Sequence, residues 1–251
     1  MSHELTQREV LDIATCMGYY ILKNGGEISR AEDTVERIGL AYGMDSVHVF
    51  ALGHLIIVSM EKDDVSMSQT RRIKSCVTNL HQVEEFNSLS RKICQTLPPY
   101  KEVAKEIEKT NDLPRYPYWV FVLAFALVAG GFAVFFGGGI KEGIVSFVIG
   151  ALLKPVLTAF ERLKSAPFFT NAAGAAVTVT LTQTASLLLG GLNQEAVNIG
   201  VLMNLVPGVL LTNCIRDFVA TDYVSGTAKI VETLLTAAAI ALGVSVSLLW
   251  R

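Results

Sequence analysis

The sequence predicts a membrane protein in which a cytoplasmic α+β domain, residues 1–116, precedes a transmembrane domain of five helices, residues 117–251. Two observations favour this fold class. Charge is concentrated in the first domain, which holds 14 of the 21 Lys and Arg residues and 17 of the 23 Asp and Glu residues. The remainder contains five apolar stretches close to the ~20 residues that a helix needs to cross a hydrocarbon core of ~30 Å. This division is typical of a soluble domain followed by a membrane domain.

The first domain is predicted to fold in the order ααβββαα. Its helical segments have apolar residues three and four positions apart, and its strand segments are rich in β-branched and aromatic residues. Gly25 and Gly26 end the first helix, and a capping-box pattern, Ser29 with Glu32, is predicted to begin the second. The predicted helices cover residues 5–23, 29–43, 78–95 and 100–111, and the predicted strands lie within residues 47–60 and around residues 69–74.

No pattern of a catalytic or metal site is found in the first domain. His48 and His54 have no carboxylate or cysteine at ligand spacing, so a structural role is favoured for both. The four cysteines are not spaced as CxxC pairs, and no nucleophile, zinc-protease or phosphate-binding motif is present. The net charge of −2 gives no support for nucleic-acid binding. We therefore predict no catalytic residue, no metal and no cofactor.

The five predicted spans begin with an interfacial anchor. Arg115, Tyr116, Tyr118 and Trp119 cluster at the start of the first span, where basic and aromatic residues typically hold a helix at the membrane surface. The spans are predicted at about residues 118–136, 140–160, 168–189, 197–215 and 230–250.

The fourth predicted span is interrupted in its middle. Pro207 lacks a backbone N–H and clashes with the carbonyl four residues earlier, and Gly208 adds conformational freedom. Within hydrocarbon such an interruption persists only where protein or a wet cavity covers the freed backbone groups. Two interpretations are open: a simple proline kink, or a discontinuous helix of the kind that forms substrate sites in transporters.

Basic residues in the short loops predict the orientation of the chain. An N-terminus in the cytoplasm places five of them on the cytoplasmic side and only Lys141 and Arg251 on the opposite side, as the positive-inside rule requires. The N-terminal residues contain no apolar segment, so no signal peptide is expected. The five cytoplasmic residues are Arg115, Arg162, Lys164, Arg216 and Lys229.

Polar residues recur every four positions in the second, third and fourth spans and so follow one helix face in each. In residues 170–186 they are small or hydroxylated, which indicates either close helix packing or a polar path. The second span contains Lys154, an ionisable group that costs roughly 2.5–3.5 kcal/mol within a membrane. Lys154 either extends to the cytoplasmic surface or faces a cavity. In a cavity, it would join Asn204, Asn213 and Arg216 around a small polar anion or zwitterion.

The chain resembles the threonine/serine exporter family, specifically its N-terminal, five-span module. The resemblance covers nearly the whole chain, and its motifs agree in order and spacing. Some members are single chains with a second set of spans, whereas others are split into a module like this one and a smaller hydrophobic subunit. A sequence with five spans resembles the split form. The residues that carry the resemblance are Gly26-Glu27 with Arg30, Glu32 and Glu36-Arg37, the hairpin that follows them, Pro117 and Trp119, and Asn204 to Gly208 with Arg216-Asp217.

The resemblance implies a subunit of a secondary transporter that exports a small polar metabolite across the inner membrane. The metabolite would be an amino acid such as threonine or serine, or a dicarboxylate such as succinate. Because five short helices make a thin wall, a complete pathway is expected to need the smaller subunit or further copies of this chain.

Two groups of residues follow from the resemblance and the polar pattern together. The predicted substrate path contains Lys154, Asn204, Pro207, Gly208, Thr212, Asn213, Arg216 and Asp217. A charged helix that couples the first domain to the membrane part or to a partner contains Glu27, Arg30, Glu32 and Arg37. An alternative for the second group is an ordinary ladder of surface ion pairs.

Two other functions stay open at this point. The first domain would be a membrane-tethered hydrolase if it held an active site without a recognisable motif. The chain would instead be an assembly or sensor protein if export did not depend on it. Coupling to protons is not assigned, because the acidic residues lie at the ends of the spans.

Overall fold

The structure is a computed structural model that describes residues 5–74, 76–112 and 116–249. It divides into two compact units, Met1–Pro114 and Arg115–Arg251. Arg115 of the predicted anchor and Arg251 of the predicted outer face lie outside the described residues.

The described part of the first unit has the predicted order of two helices, three strands and two helices. The sheet is antiparallel with the order β1-β2-β3, and its two turns bring together Leu52 with Leu55 and Lys62 with Val65. The elements are α1 (Gln7–Lys23), α2 (Ile28–Ala41), β1 (Ser46–Leu52), β2 (Leu55–Lys62), β3 (Val65–Arg72), α3 (Leu80–Thr96) and α4 (Tyr100–Asn111).

The core of the first unit lies between β2 and the helices. Alternate residues of β2, namely Ile56, Val58 and Met60, are fully buried, as expected for one face of a strand. They belong to the same apolar cluster as Met17 of α1 and Phe86 of α3. Most side chains of β3 are exposed, so this strand forms an open edge of the sheet.

The predicted start of α2 is wrong. The helix begins at Ile28 with Glu27 as its N-cap residue, so Ser29 is already inside the first turn. The carboxylate of Glu32 accepts a hydrogen bond from the backbone N–H of Ala51 at 2.9 Å and thereby ties α2 to β1. A capping box does occur in this unit, at Thr6 and Glu9 of α1.

The third strand begins four residues earlier than predicted. Asp63 and Asp64 both have positive φ angles, 51° and 62°, and form a two-residue turn between β2 and β3. Turns of this kind usually contain Asn-Gly or Asp-Gly, so the Asp-Asp pair did not indicate one.

The described residues of the second unit form six helices, and four of them are long and apolar enough to cross a membrane. The chain is therefore a multi-pass membrane protein by the length and composition of its helices. The four long helices are α5 (Tyr118–Phe135), α6 (Ile140–Arg162), α7 (Pro167–Leu189) and α10 (Tyr223–Leu248); the two short ones are α8 (Gln194–Leu202) and α9 (Gly208–Val219).

Four long helices are found where five spans were predicted. The predicted span at residues 197–215 is divided between α8 and α9, which at 1.5 Å per residue are only about 14 Å and 18 Å long. Neither helix alone reaches across a hydrocarbon core of ~30 Å. The last long helix begins at Tyr223, seven residues before the predicted span.

Glycine residues allow the long helices to approach closely. A Cβ atom added at Gly150 of α6 would lie 2.7 Å from the carbonyl oxygen of Phe125 on α5, and one at Gly200 of α8 would meet the α5 backbone equally closely. Gly243 of α10 lies directly against the carbonyl group of Ala172 on α7. These contacts are the close packing that small residues permit within membranes.

The threonine hydroxyls of α7 are satisfied within their own helix. Four of the five donate a hydrogen bond of 2.8–3.0 Å to the carbonyl oxygen four residues earlier, and Thr170 donates a longer one of 3.4 Å to Ala166. Two of them, Thr178 and Thr182, are fully buried. For these hydroxyls the structure favours close packing over a polar path. The four residues are Thr178, Thr180, Thr182 and Thr184.

Hydrogen bonds between helices are few and specific. The Lys141 ammonium of α6 donates to the carbonyl oxygen of Gly190, at the end of α7, at 2.6 Å. The Ser247 hydroxyl of α10 donates to the carbonyl oxygen of Ala176 on α7 at 2.9 Å. Glu142 of α6 accepts from the backbone N–H of Asn193, the N-cap residue of α8, at 3.1 Å.

Candidate functional site

The helix interruption predicted from Pro207 is present. The helix α8 ends at Leu202, and five residues separate it from Gly208, the first residue of α9. In this connection the N–H of Leu205 bonds to the carbonyl of Leu202, three residues earlier, which tightens the chain as it leaves the helix. Pro207 adopts φ −80° and ψ 57°, which is outside the helical region.

Asn204 and Lys154 both contact Phe125 of α5. The Asn204 side-chain amide donates hydrogen bonds of 3.2 Å to the carbonyl oxygens of Phe125 and Val201. The Lys154 ammonium lies 5.2 Å from the centre of the Phe125 ring, a cation–π distance. Two residues of the predicted path, from α6 and from the interruption, are thus brought together at one residue of a third helix.

Lys154 is largely withdrawn from the surface. Its side chain is 17% exposed, and its nearest carboxylate, that of the exposed Glu161, is 4.0 Å away. The helix α6 continues through the following Pro155 to Arg162. The Lys154 ammonium is mostly buried, and its described carboxylate partner is exposed and lies at the outer limit of an ion-pair distance, so the ammonium is suited to receive a further anionic group.

Of the predicted residues on α9, Asp217 lies at the contact between α9 and α10, Asn213 is partly buried, and Thr212 and Arg216 are exposed. The Asp217 carboxylate accepts a 2.6 Å hydrogen bond from the Lys229 ammonium of α10, and both side chains are mostly buried. The Thr212 hydroxyl donates to the carbonyl of Gly208 in its own helix at 3.0 Å. Asp217 therefore has a protein partner on α10 that the sequence did not indicate.

Two amide residues that were not predicted as site residues lie on α7 and α8, one helical turn from a described contact between these helices. Gln194 of α8 donates to the hydroxyl of Ser186 on α7 at 2.8 Å. One helical turn further along α8 is Asn198, and one turn back along α7 is Gln183, so the same antiparallel register brings these two residues to the same level. Gly174 of α7 lies close to the side chain of Leu205 in the connection after α8. The same alignment of α7 with α8 therefore extends as far as the interruption.

Gln183 and Asn198 have unsatisfied polar atoms. The Gln183 side-chain nitrogen and the Asn198 side-chain oxygen are buried without a hydrogen-bond partner among the described residues. The Ser146 hydroxyl of α6 is in the same situation. Buried polar atoms are usually satisfied, so these groups are available to a ligand or to water. In the sequence, the signal for these residues is an amide side chain within an apolar stretch. Which residues that amide faces depends on how neighbouring helices are aligned, and spacing along one helix does not give this.

The charged residues of α2 contact their own unit. Glu27 and Arg30 approach to 3.8 Å, Glu32 bonds to β1 as described above, and the Arg37 side chain donates to the carbonyl oxygen of Asp33 at 3.1 Å. Their role in coupling to the membrane part or to a partner stays a prediction. Among the described residues, no group of three or more His, Cys, Asp or Glu side chains is placed to hold a metal ion.

Comparison with known proteins places these features in a family. A family model described as "Putative threonine/serine exporter" matches residues 12–250. The chain is 28% identical to the "Probable succinate transporter subunit YjjP" of Escherichia coli, with 92% of this chain and 91% of that protein covered. It is 24% identical to the "Threonine/serine exporter" of Corynebacterium glutamicum, with 95% of this chain but only 50% of that protein covered. No solved structure is significantly similar to the chain.

Proposed function

Because the chain belongs to the threonine/serine exporter family, we propose that it is one subunit of a secondary transporter that exports a small polar metabolite across the inner membrane. The metabolite is an amino acid such as threonine or serine, or a dicarboxylate such as succinate, and the names of the relatives support both classes. The family indicates a transporter rather than an enzyme, so the hydrolase alternative is not pursued.

The observation that carries the proposal is the interrupted helix beside a mostly buried ammonium group. Every candidate substrate has a carboxylate, and Lys154 provides a positive charge that is poorly compensated by the protein. Asn204, whose side-chain amide contacts the same Phe125 as Lys154, would provide a hydrogen bond to a remaining polar group of the substrate.

A fifth crossing is proposed for α8 and α9 together. Their combined length of about 32 Å, at 1.5 Å per residue, matches a hydrocarbon core of ~30 Å. Irregular backbone at membrane depth is tolerated where it lines a cavity, which agrees with a substrate path at the interruption. The chain would then cross the membrane five times as one discontinuous and four continuous helices.

The proposed orientation has the N-terminal unit in the cytoplasm and the C-terminus outside. Four basic residues lie in or beside the loop after α6, near the end of α9 and near the start of α10. At the opposite ends of the helices, the described residues include one basic residue, Lys141. This asymmetry agrees with the positive-inside rule. The four residues are Arg162, Lys164, Arg216 and Lys229.

A smaller hydrophobic membrane subunit is proposed to complete the transporter. The chain covers about nine-tenths of relatives that are named as subunits, but about half of the exporters of Corynebacterium and Mycobacterium. This difference supports the split form of the family. Additional copies of the chain within the same complex are also expected, since five helices enclose little space.

Transport by reconstituted vesicles tests the proposal. The chain is reconstituted alone and together with a candidate smaller hydrophobic subunit, and the movement of labelled succinate, serine and threonine is measured. We expect Lys154→Gln to reduce transport of the accepted substrate by roughly 10-fold or more, because a hydrogen bond to a charged group contributes about 1.5–3 kcal/mol. Asn204→Ala is expected to reduce transport in the same direction.

The matched control is Lys164→Gln, which removes an exposed lysine from the loop after α6. It should leave the transport rate unchanged. If complexes containing Lys154→Gln and Asn204→Ala assemble and transport at the normal rate, the proposed path is wrong. If the assembled wild-type complex moves none of the three substrates, the proposed substrate classes are wrong.

A further inference from the structure

A polar groove lies between α2 and α3 of the first unit. Its lining contains no residue of the proposed substrate path. It consists of two adjoining pockets of about 280 Å³ and 270 Å³. Arg37, Ser90 and Arg91 line both pockets and join them into one depression. We call this depression the α2–α3 groove and define it by Arg30, Thr34, Arg37, Asn87, Ser90 and Arg91.

The pocket at one end of the α2–α3 groove has no carboxylate in its own lining, although its two arginines also border the pocket at the other end. At the other end, Arg30 is accompanied by the carboxylates of Glu27 and Asp33. The 270 Å³ pocket contains Arg37 and Arg91 and no carboxylate. An anion would therefore be attracted to the Arg37–Arg91 end.

Both guanidinium groups keep unused donors. Arg37 donates one hydrogen bond, to the carbonyl of Asp33, and Arg91 donates one, to the hydroxyl of Ser88. Within the described chain neither guanidinium forms an ion pair with a carboxylate. A guanidinium has five N–H donors arranged to bind carboxylate or phosphate oxygens in pairs, so most of this capacity is available.

A buried hydroxyl in the same pocket also lacks an acceptor. Thr34 is 1% exposed, and its hydroxyl has no hydrogen-bond partner among the described residues. A threonine inside a helix commonly bonds to the carbonyl four residues earlier, as the threonines of α7 do, but Thr34 does not. Leaving a buried hydroxyl unpaired is unfavourable, and an oxygen of a bound anion would supply the missing acceptor.

The neighbouring thiol leaves the charge of Arg37 uncompensated. Cys94 lines the same pocket, and burial raises the pKa of its thiol although the Arg37 guanidinium acts in the opposite direction. At neutral pH the thiol is therefore protonated and uncharged. It forms part of the pocket wall and does not act as an anionic partner.

From these contacts we propose that the α2–α3 groove is a binding site for a small dianion, a dicarboxylate or a phosphate, held by Arg37 and Arg91 with Thr34 as an additional donor. The two pockets, of about 280 Å³ and 270 Å³, are each slightly smaller than the usual range for ligand sites, roughly 300–1,000 Å³. This size suits a metabolite with few non-hydrogen atoms. Binding here does not depend on the proposed transport function.

Calorimetric titration of the full chain in detergent tests the site, with succinate and inorganic phosphate as separate probes at low salt. We expect at least one probe to bind, and the double variant Arg37→Gln/Arg91→Gln to weaken that binding at least 10-fold. The isosteric Thr34→Val is expected to weaken it several-fold by removing only the hydroxyl. The probe that binds more tightly shows whether the site prefers a dicarboxylate or a phosphate.

Two controls keep the outcome specific. Arg72→Gln removes an exposed arginine of β3 outside the groove and should leave binding unchanged. Because the proposed substrate path would itself bind succinate, the groove variants are also compared in a Lys154→Gln background, where that contribution is removed and their effects should persist. Absence of binding by the folded wild-type chain, or equal binding by wild type and the double arginine variant, would overturn the proposal.

Discussion

The ion pair between Asp217 and Lys229 joins α9 to α10, and breaking it should destabilise the membrane unit. The two charged groups are 2.6 Å apart, and their side chains are only 10% and 17% exposed. Removing one partner leaves the other charge uncompensated in poorly solvating surroundings, which costs about 3–5 kcal/mol for buried pairs. Because neither side chain is completely buried, we expect Asp217→Asn and Lys229→Met each to lower the free energy of unfolding by about 3 kcal/mol.

The double variant Asp217→Asn/Lys229→Met should regain much of this loss, because it leaves no isolated charge. The two single variants and the double variant form a cycle, and we expect a coupling energy of about 2 kcal/mol, within the range for residues in direct contact. The measurement is denaturant unfolding of the purified chain in detergent, followed by circular dichroism.

An exposed pair in the first unit provides the matched control. Lys92 and Glu106 are 2.7 Å apart, but their side chains are 54% and 37% exposed. Exposed pairs contribute about 0.2–1 kcal/mol, so the cycle of Lys92→Met and Glu106→Gln should give a coupling energy below about 1 kcal/mol. Equal coupling energies in the two cycles would refute the argument that burial sets the magnitude.

Two further predictions concern packing and pH. Gly243→Ala should force α10 away from the carbonyl group of Ala172 and lower the thermal stability measured in detergent, whereas Gly131→Ala, which meets open space, should not. Burial, followed by the nearby Cys94 and Glu102, raises the pKa of Tyr42 to about 12, above the usual ~10, so the folded state keeps a proton that the unfolded chain loses. Stability should therefore fall as the pH rises from about 10 to about 12, and Tyr42→Phe should show a smaller fall; parallel stability curves for the two proteins would contradict this.

Local patterns predicted most of the first unit, because its elements are determined by residues close together in sequence. Apolar periodicity, the Gly25-Gly26 break and the β-branched and aromatic strand segments predicted the order ααβββαα. The two errors, at Ser29 and at the start of β3, arose where local signals compete. The Ser29–Glu32 pattern satisfies a capping box, but Glu32 bonds to Ala51 instead, and this contact exists only after β1 has folded against α2.

The membrane unit was less predictable because its polar contacts depend on helix register. The interruption at Pro207 follows from the chemistry of a single residue and is present. The pairing of Asp217 with Lys229 joins two different helices. The burial of unpaired polar atoms of Gln183 and Asn198 depends on how α7 and α8 pack. The ion pair and the buried amides both depend on how the helices pack against each other. Residue spacing within one helix does not predict that packing.

The interrupted helix has a consequence for how the membrane unit would move. Described side-chain hydrogen bonds join α8 and the interruption to α5 and α6, through Glu142 and Asn204. Others join α9 and α7 to α10, through Lys229 and Ser247. The interruption, like the loops before and after α7, is thus a covalent link between two sets of helices, and each set has its own side-chain hydrogen bonds.

The described side-chain bonds between the two sets, Gln194 to Ser186 and Lys141 to Gly190, lie at one end of the helices. A pivot of the two sets about that end would bend residues 203–207 and would open the apolar contacts of Leu157 and Leu205 with Gly174. Such a pivot would widen the bundle beside Lys154 without breaking the bonds within either set.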